Sequence, residues 1–351
     1  MEVKVTLADI AKKANVSIAA VSMILTNKNL TRFSKETIET VYTTARSLGY
    51  KQKHLGDKDG LIIIVCPSVI NPYFATLLQG MELEANQNNY KTIVFNTYWN
   101  LERERDVLRI ALNPLIKGVI FSMMPQQPEL VSKVAKRLPV VAVGDKQDEV
   151  DLDTVEVNNY DAGYLLGKHL IELGHKKVCY VSTSLNNQHS SRVLRLKGLQ
   201  DSYKQLCPEG EVALLCSEVN PETELSTVEI EHQVGMQLAK TCLETHKEIT
   251  AIVAINDMVA YGVMDQILQQ GYQIPRDYSI CGFDNIYPSQ FQGVSLTTID
   301  HFINQRGQSA FSLMQAKLEH KNEDNHSITR VEFRNQLVIR KTTSVPRPDI
   351  C

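Results

Sequence analysis

The sequence lacks any run of about 20 apolar residues, the length that a helix needs to cross a bilayer. We therefore expect no membrane association. The stretch MEVKVTLADIAKK also lacks the apolar core of a secretory signal, so the expected location is the cytoplasm. The seven cysteines are scattered with no C-x-x-C pair, a spacing that indicates neither a zinc site nor a disulfide framework. We expect reduced thiols, no bound metal and no cofactor.

Motifs typical of common enzyme classes are missing as well. The sequence contains no G-x-S-x-G elbow, no phosphate-binding P-loop, no G-x-G-x-x-G and no H-E-x-x-H. His169 and His175 lie near a predicted helix end, without a cysteine or third histidine at ligand spacing. We expect these histidines to cap the helix and face solvent, and we predict that the protein is not an enzyme.

Charge is distributed unevenly along the 351 residues. The net charge is −3, but residues 1–58 carry eight lysines and two arginines against two aspartates and three glutamates. A basic segment on an acidic body indicates contact with a polyanion, although a charged solvated face would give the same composition.

The first fifty residues have the pattern of three short amphipathic helices. Thr6 with Asp9, Ser17 and Ser34 are the expected N-caps, and Gly49 ends the third helix. In a helix-turn-helix, the second helix presents an outward face to DNA bases. The residues expected on this face are Ile18, Ala19, Ser22 and Met23. A three-helix bundle that contacts another protein is equally compatible with the pattern.

From Leu61 onward, short apolar runs alternate with stretches that have helical periodicity. Buried parallel strands alternating with helices are typical of a doubly wound α/β sheet, and the number of units favours two subdomains. The predicted strands are 61–65, 92–95, 118–122, 140–143, 177–182, 251–255 and 279–283.

Taken in order, these segments resemble the lactose-repressor family of regulators. The headpiece reads V-T-L-A-D-I-A-x-x-A-x-V-S-x-A-A-V-S-x-I-L, followed by S-x-x-T and L-G-Y. Further motifs are N-P-Y-F (71–74), G-V-I-F (118–121), L-I-E-L-G-H (170–175), R-L-K-G (195–198), A-I-N-D-M-V-A-Y-G (254–262), G-F-D-N-I (282–286), L-T-T-I-D (296–300) and L-V-I-R-K-T (337–342).

The resemblance implies a helix-turn-helix headpiece (1–50), a hinge (51–60) and a periplasmic-binding-protein-like core of two Rossmann-like subdomains. The implied bounds are 61–161 with 291–323, and 162–290 with 324–345. The family further implies a homodimer that binds a double-stranded DNA operator and a small effector in the cleft between subdomains. Ligands of open α/β sheets also lie at the carboxyl ends of the strands, which favours the same place.

Site residues carry over from the family by position. The implied DNA-contacting residues are Thr6, Ser17, Ile18, Ala19, Ala20, Ser22, Met23, Thr26, Asn27, Arg32, Ser34, Thr37 and Tyr50, with Leu55 in the hinge. The implied effector-binding residues are Tyr73, Phe74, Asp145, Arg195, Asn256, Asp257 and Asp284. Other roles are open: a salt bridge for Arg195 and Asp257, packing for the two aromatics, and a cap for Asp284.

Two segments depart from the family pattern. Ala20 and Met23 stand where relatives commonly carry Thr and Arg, and apolar side chains contact thymine methyls but not guanine. The hinge is about five residues short and holds Gly56 and Asp57, so its helix is either missing or weakly formed. The carboxylate and amide groups of Asp145, Asn256 and Asp257 favour a sugar or sugar phosphate as effector, while Tyr73 and Phe74 suit a flat base equally well. A nucleobase, or a phosphocarrier protein as coeffector, is the alternative.

Overall fold

The structure, a computed structural model, describes residues 5–25, 32–48, 61–145, 151–185, 190–319 and 327–348. The predictions for Thr26, Asn27, Tyr50 and Leu55, and for the hinge at 51–60, fall outside the described residues.

The first three helices form a unit of their own, composed of α1 (Leu7–Ala14), α2 (Ile18–Leu25) and α3 (Lys35–Ser47). Their expected N-caps are confirmed. Thr6 and Asp9 form a reciprocal capping box. Ser17 Oγ accepts from the Ala20 N–H at 3.0 Å, and Ser34 Oγ accepts from the Thr37 N–H at 3.1 Å. Each cap satisfies a backbone donor that the first helical turn leaves without a partner.

A small apolar core closes this unit. Ile10 of α1, Val21 and Ile24 of α2 and Val41 of α3 are fully buried against one another. The Tyr42 hydroxyl donates to the Ile24 carbonyl at 3.0 Å and so joins α3 to α2. The apolar residues of the three amphipathic helices therefore form the packed core of this unit.

The α/β core begins at Leu61. Its elements are β1 (Leu61–Cys66), α4 (Pro72–Gln87), β2 (Lys91–Asn96), α5 (Leu101–Ala111), β3 (Ile116–Phe121), α6 (Pro128–Ala135), β4 (Val140–Val143), β5 (Asp153–Val157), α7 (Asn159–Glu172), β6 (Lys177–Ser182), α8 (Ser190–Leu206), β7 (Glu211–Cys216), α9 (Pro221–Ser226), α10 (Ile230–Thr245), β8 (Ala251–Ala254), α11 (Asp257–Gln269), β9 (Ser279–Asp284), β10 (Thr297–Asp300), α12 (Ile303–Glu319), β11 (Arg330–Phe333) and β12 (Gln336–Val338).

These strands form two six-stranded sheets, one in each subdomain. The first has the order β11-β5-β4-β3-β1-β2 and the second β12-β10-β9-β8-β6-β7. Strand β12 runs antiparallel to β10, whereas β1–β3, β3–β4, β4–β5 and β6–β8 are parallel pairs. The predicted class, two doubly wound α/β subdomains behind a helical headpiece, is confirmed.

All seven predicted strands exist, but one is not buried as its composition suggested. Strand β2 exposes Ile93 and Val94, with 39% and 41% of their surfaces accessible. The reason is its place at the end of the first sheet, where only β1 neighbours it. An apolar run predicts a strand without telling whether that strand is central or terminal.

The chain crosses between the subdomains three times. It first crosses at Asn158, between β5 and α7. The second crossing, back to the first subdomain, lies between Asp300 and Ile303 and not near residue 291. The reason is that β10 pairs with β9 of the second sheet, and that residues 296–299 lie in the hydrophobic core of the second subdomain. The third crossing lies between Phe333 and Gln336, not near 324, because β11 pairs with β5 of the first sheet.

The expectation that His169 and His175 face solvent was wrong. Both are buried near the end of α7. His175 bonds the Thr250 hydroxyl at 2.8 Å through Nδ1 and lies 2.8 Å from the Ser344 carbonyl through Nε2. Burial lowers its pKa to about 4, so the ring is neutral at pH 7 and joins the second sheet to the C-terminal segment.

Glycine permits the close contact between α7 and α8. A Cβ atom on Gly163 would lie 1.9 Å from the Arg195 carbonyl oxygen.

We predict that Gly163→Ala lowers the free energy of unfolding of the core by about 1–3 kcal/mol, because the helices must move apart. Urea denaturation followed by circular dichroism measures the change. Gly293→Ala is the matched control, since its added Cβ would meet nothing within 4 Å. Equal stability of both variants would contradict the account.

Candidate functional site: a headpiece helix and an inter-subdomain cleft

Helix α2 has one face in the headpiece core and one face outward. Ile18 is 53% exposed and Ala19 is also exposed, while Ser22 and Met23 are half-buried. These four are the residues expected on the outward face. Ser22 alone among them offers a hydroxyl, so the face is suited mainly to apolar contact with base methyl groups.

Ala20 does not belong to this outward set. It retains 9% of its surface, and its N–H donates to Ser17 Oγ. Ala20 is therefore less accessible than the other four residues, and its contact with DNA stays a prediction. Thr6, Ser17, Ser34 and Thr37 lie at helix starts, and Arg32 is exposed.

A cavity of about 470 Å³ lies between the two subdomains of the core. Each expected effector residue except Asp257 lines it. The first subdomain contributes Tyr73 and Phe74 at the start of α4 and Asp145 after β4; the second contributes Arg195 of α8, Asn256 before α11 and Asp284 at the end of β9. Parallel strands end at this edge of each sheet, which is why distant segments meet here.

Arg195 is the most extensively bonded of these side chains. Its Nε donates to Asn159 Oδ1 at 2.8 Å and its Nη1 donates to the Ile255 carbonyl at 2.8 Å. Nη2 lies 3.4 Å from Asp284 Oδ1, which makes an ion pair. The guanidinium also stacks 4.8 Å from the centre of the Phe283 ring. Arg195 thus joins polar groups at the bottom of the cavity, which we call its floor.

The three crossing segments are joined beneath this floor. Arg195 Nη2 donates to His301 Nε2 at 3.1 Å. That nitrogen is therefore the acceptor, and the proton on Nδ1 is directed to Asn335 Oδ1 at 2.9 Å. Asn335 Nδ2 in turn donates to the Asn158 carbonyl at 2.6 Å. Burial, followed by the charge of Arg195, holds the pKa of His301 well below its usual value, in agreement with a neutral ring.

Asp284 combines charge, burial and an unusual backbone. Burial raises its pKa to about 6, against the lowering effect of Arg195. Its φ of 108° lies in the left-handed region, which is strained for a residue with a side chain. The next residue, Asn285, has a φ of 51°. The structure thus places a strained carboxylate at the wall of the cavity.

Asp257 does not line the cavity, which corrects its assignment to the effector site. It is fully buried and accepts from the Ile286 N–H at 3.0 Å, Ser289 Oγ at 2.5 Å and Thr298 Oγ1 at 2.6 Å. These bonds hold the segment after β9 against the start of α11. Its neighbour Asn256 caps α11 through the Val259 N–H at 2.9 Å and does line the cavity.

Glu231 of α10 is a cavity residue that the sequence reasoning missed. Its Oε1 accepts from Asn256 Nδ2 at 2.8 Å, and its Oε2 accepts from Asn71 Nδ2 of the first subdomain at 3.2 Å. Burial raises its pKa to about 7. A signal existed, because Glu231 lies on the buried face of α10 with Val234 and Leu238. A carboxylate within an apolar stripe is a candidate for a buried polar site.

Arg306 of α12 is a second cavity residue that the sequence reasoning missed. It lies on the buried face of α12 with Ile303 and Ala310, and it lines the cavity. Its Nη1 donates to the Tyr73 hydroxyl at 2.9 Å. Tyr73 also packs edge-to-face on Phe74, with ring centres 5.1 Å apart. Trp99, a third aromatic residue of the lining, donates from Nε1 to Met123 Sδ at 2.7 Å.

No group of three or more His, Cys, Asp or Glu side chains in the described ranges is arranged to hold a metal ion. None of the described helices combines the length and apolar character needed to cross a bilayer.

The raised pKa of Glu231 makes a pH-dependent contribution to stability. An exposed glutamate titrates near about 4.3, so between that pH and about 7 the folded state keeps a proton that the unfolded state has lost. Ionisation at higher pH therefore destabilises the fold. We predict that Glu231→Gln becomes more stable than the native chain as pH rises from 5 to 8, by up to about 3 kcal/mol.

Urea denaturation at several pH values measures this difference. Glu229→Gln is the matched control, since it removes the same charge from an exposed position one residue before α10. A stability difference for Glu231→Gln that does not change with pH would contradict the assigned environment.

Comparison with known families agrees with both parts of the structure. The family described as "Bacterial regulatory proteins, lacI family" matches residues 6–52. The family described as "Periplasmic binding proteins and sugar binding domain of LacI family" matches residues 59–338, which is most of the chain.

Individual relatives agree with this assignment. The chain is 28% identical to the HTH-type transcriptional repressor PurR of Mannheimia succiniciproducens, over 96% of this chain and 98% of that protein. A LacI family regulator from Enterococcus faecalis with bound ribose superposes with a TM-score of 0.68 at 26% identity, covering 81% and 99% of the two chains. The lac repressor dimer bound to operator superposes with a TM-score of 0.72 at 22% identity, covering 97% and 100%. The chain therefore belongs to the LacI family and is a DNA-binding transcriptional repressor.

Proposed function

We propose that this repressor is a homodimer whose operator affinity is controlled by a sugar or sugar phosphate bound in the inter-subdomain cleft. The observation that carries the proposal is the cavity of about 470 Å³, in which carboxylate, amide and guanidinium groups from both subdomains converge beside aromatic rings. Such a volume and such a mixture of groups are typical of sites for small polar molecules.

The polar groups suit a molecule with many hydroxyls. A hydroxyl both donates and accepts, so it needs acceptors such as Asp145 and Asp284 together with donors such as Asn256. The Arg195–Asp284 contact of 3.4 Å is long, so a ligand hydroxyl that bonded both groups would replace a weak interaction with two good ones. Tyr73 and Phe74 supply an apolar surface for the carbon face of a sugar ring.

A nucleobase is the second candidate, favoured by the aromatic part of the lining. Tyr73, Phe74 and Trp99 lie around the first-subdomain side of the cavity. A flat base could stack there and bond Asp284 and Arg195 through its edge. The two candidates differ in how they bond the carboxylates. A base forms its hydrogen bonds from one side only, whereas a sugar forms them from hydroxyls on several sides.

A dimer is proposed because one headpiece offers little contact. A family repressor reads a near-palindromic operator with two copies of its recognition helix, about one helical turn apart. With Ile18, Ala19 and Met23 on the outward face, a single copy has few groups for bonding bases. Pairing of two headpieces raises the effective concentration of the second copy.

We test the ligand class by calorimetry of the full-length protein with sugars, sugar phosphates and nucleobases. We predict that a member of the sugar classes binds and that Asp284→Asn weakens it by about 1.5–3 kcal/mol, the usual contribution of a charged hydrogen bond. Asparagine tolerates the left-handed backbone at this position, so the fold is retained. The bound sugar must also change the affinity for an operator obtained by selection in vitro.

Asp265→Asn is the matched control, because Asp265 lies on the exposed side of α11 and is absent from the cavity lining. Binding of a nucleobase, with no sugar bound, would replace the first candidate by the second. Equal affinity in the Asp284 and Asp265 variants would place the ligand outside this cleft.

A further inference from the structure

Arg306 differs from the other two arginines at the cavity. Arg192 pairs with Glu224 at 2.8 Å, and Arg195 pairs with Asp284 at 3.4 Å. Arg306 retains only 1% of its surface, yet no carboxylate of the described ranges lies within ion-pair distance of it. A buried cation with no counter-charge is costly unless something neutralises it.

The hydrogen bonds of Arg306 are also incomplete. Nη1 donates to the Tyr73 hydroxyl at 2.9 Å, while the buried Nε has no partner among the described residues. Buried side-chain donors are satisfied in the large majority of cases, so a donor without a partner at the wall of a cavity indicates a missing acceptor. Because Arg306 lines the cavity, a ligand can supply that acceptor.

The ionisable groups around Arg306 are bonded to other side chains. Asp145, the first-subdomain carboxylate of the lining, is held at both oxygens by Asn159 Nδ2, at 2.9 and 3.1 Å. Asp284 is already the partner of Arg195. His301 is kept neutral by burial and by the charges of Arg195 and Arg306. Burial raises the pKa of both carboxylates and the charge of Arg306 lowers it, yet neither of them forms an ion pair with Arg306.

We propose that Arg306 makes this cleft an anion-binding site, and that the effector is an acidic sugar whose phosphate or carboxylate binds the Arg306 guanidinium. The inference rests on the proposed function and narrows its ligand class. A planar guanidinium presents paired donors that match the oxygens of either anion, and burial strengthens the bond. The sugar ring then lies toward Asn256 and Asp284 on the opposite wall.

Calorimetry of the full-length protein with matched ligands tests the proposal. The probes are D-ribose, D-ribose 5-phosphate and D-ribonate, and D-glucose, D-glucose 6-phosphate and D-gluconate. An acidic member should bind roughly 10- to 150-fold more tightly than its neutral sugar, the range expected for one charged hydrogen bond. Comparison of the phosphate with the carboxylate distinguishes the two sources of the anion.

Variants show whether Arg306 causes the preference. Arg306→Met should abolish it, so that acidic and neutral sugars bind this variant with similar affinities, whereas Arg306→Lys should retain part of it. Arg105→Met is the matched control, because Arg105 lies on α5 paired with Glu102 and outside the cavity lining. It should behave as the native chain does. Neutral sugars that bind as tightly as acidic ones to the native chain overturn the proposal, whether or not a variant folds.

Inorganic phosphate separates failure of this inference from failure of the proposed function. At equal ionic strength, phosphate should raise the thermal midpoint of the native chain and of Arg105→Met, but not that of Arg306→Met. If no sugar binds yet phosphate stabilises in this pattern, the sugar assignment fails and the anion site stands. If phosphate does not stabilise the native chain, or stabilises all three proteins equally, the anion site is wrong.

Discussion

The buried guanidinium of Arg195 is the constraint on which the core depends. It bonds Asn159 next to the first crossing and His301 at the second, and His301 bonds Asn335 at the third. Asn335 closes the network by donating to the Asn158 carbonyl. Two subdomains connected by three crossing segments have several ways to rotate against each other. A network that joins all three crossings couples these rotations to one set of hydrogen bonds.

The same network decides which polar groups remain for a ligand. Groups in the floor satisfy one another, as Asn159 does with Asp145 and Arg195. Groups at the walls have less complete bonding: Arg306 has a donor with no partner in the part of the chain that the structure describes, and Asp284 combines backbone strain with a long ion pair. Strain and unsatisfied donors are costly to a fold and occur where binding compensates for them. A ligand that bonds Asp284 therefore acts on Arg195, whose hydrogen bonds lead to the crossings.

Much of this could be predicted from the sequence. Apolar periodicity identified the headpiece helices and seven strands, and family motifs located Arg195 and Asp284. The rest depends on spatial neighbours. Asp257 follows Asn256 directly, but Asp257 is buried in the protein whereas Asn256 lines the cavity. Glu231 and Arg306 lie on apolar helix faces, where a pattern predicts only burial. Strand β10 joins the second sheet through its pairing with β9, which composition does not encode.

We propose that a ligand in the cleft changes operator affinity through the hydrogen bonds that join the crossings. The most direct test is the ratio of operator affinities with and without a saturating cleft ligand, for the native chain and for Asn335→Ala. Allosteric coupling is typically about 5- to 150-fold in such a ratio. We predict a ratio in that range for the native chain and a several-fold smaller one for Asn335→Ala, with calorimetric ligand affinity nearly unchanged. An equal ratio in both proteins would contradict the account.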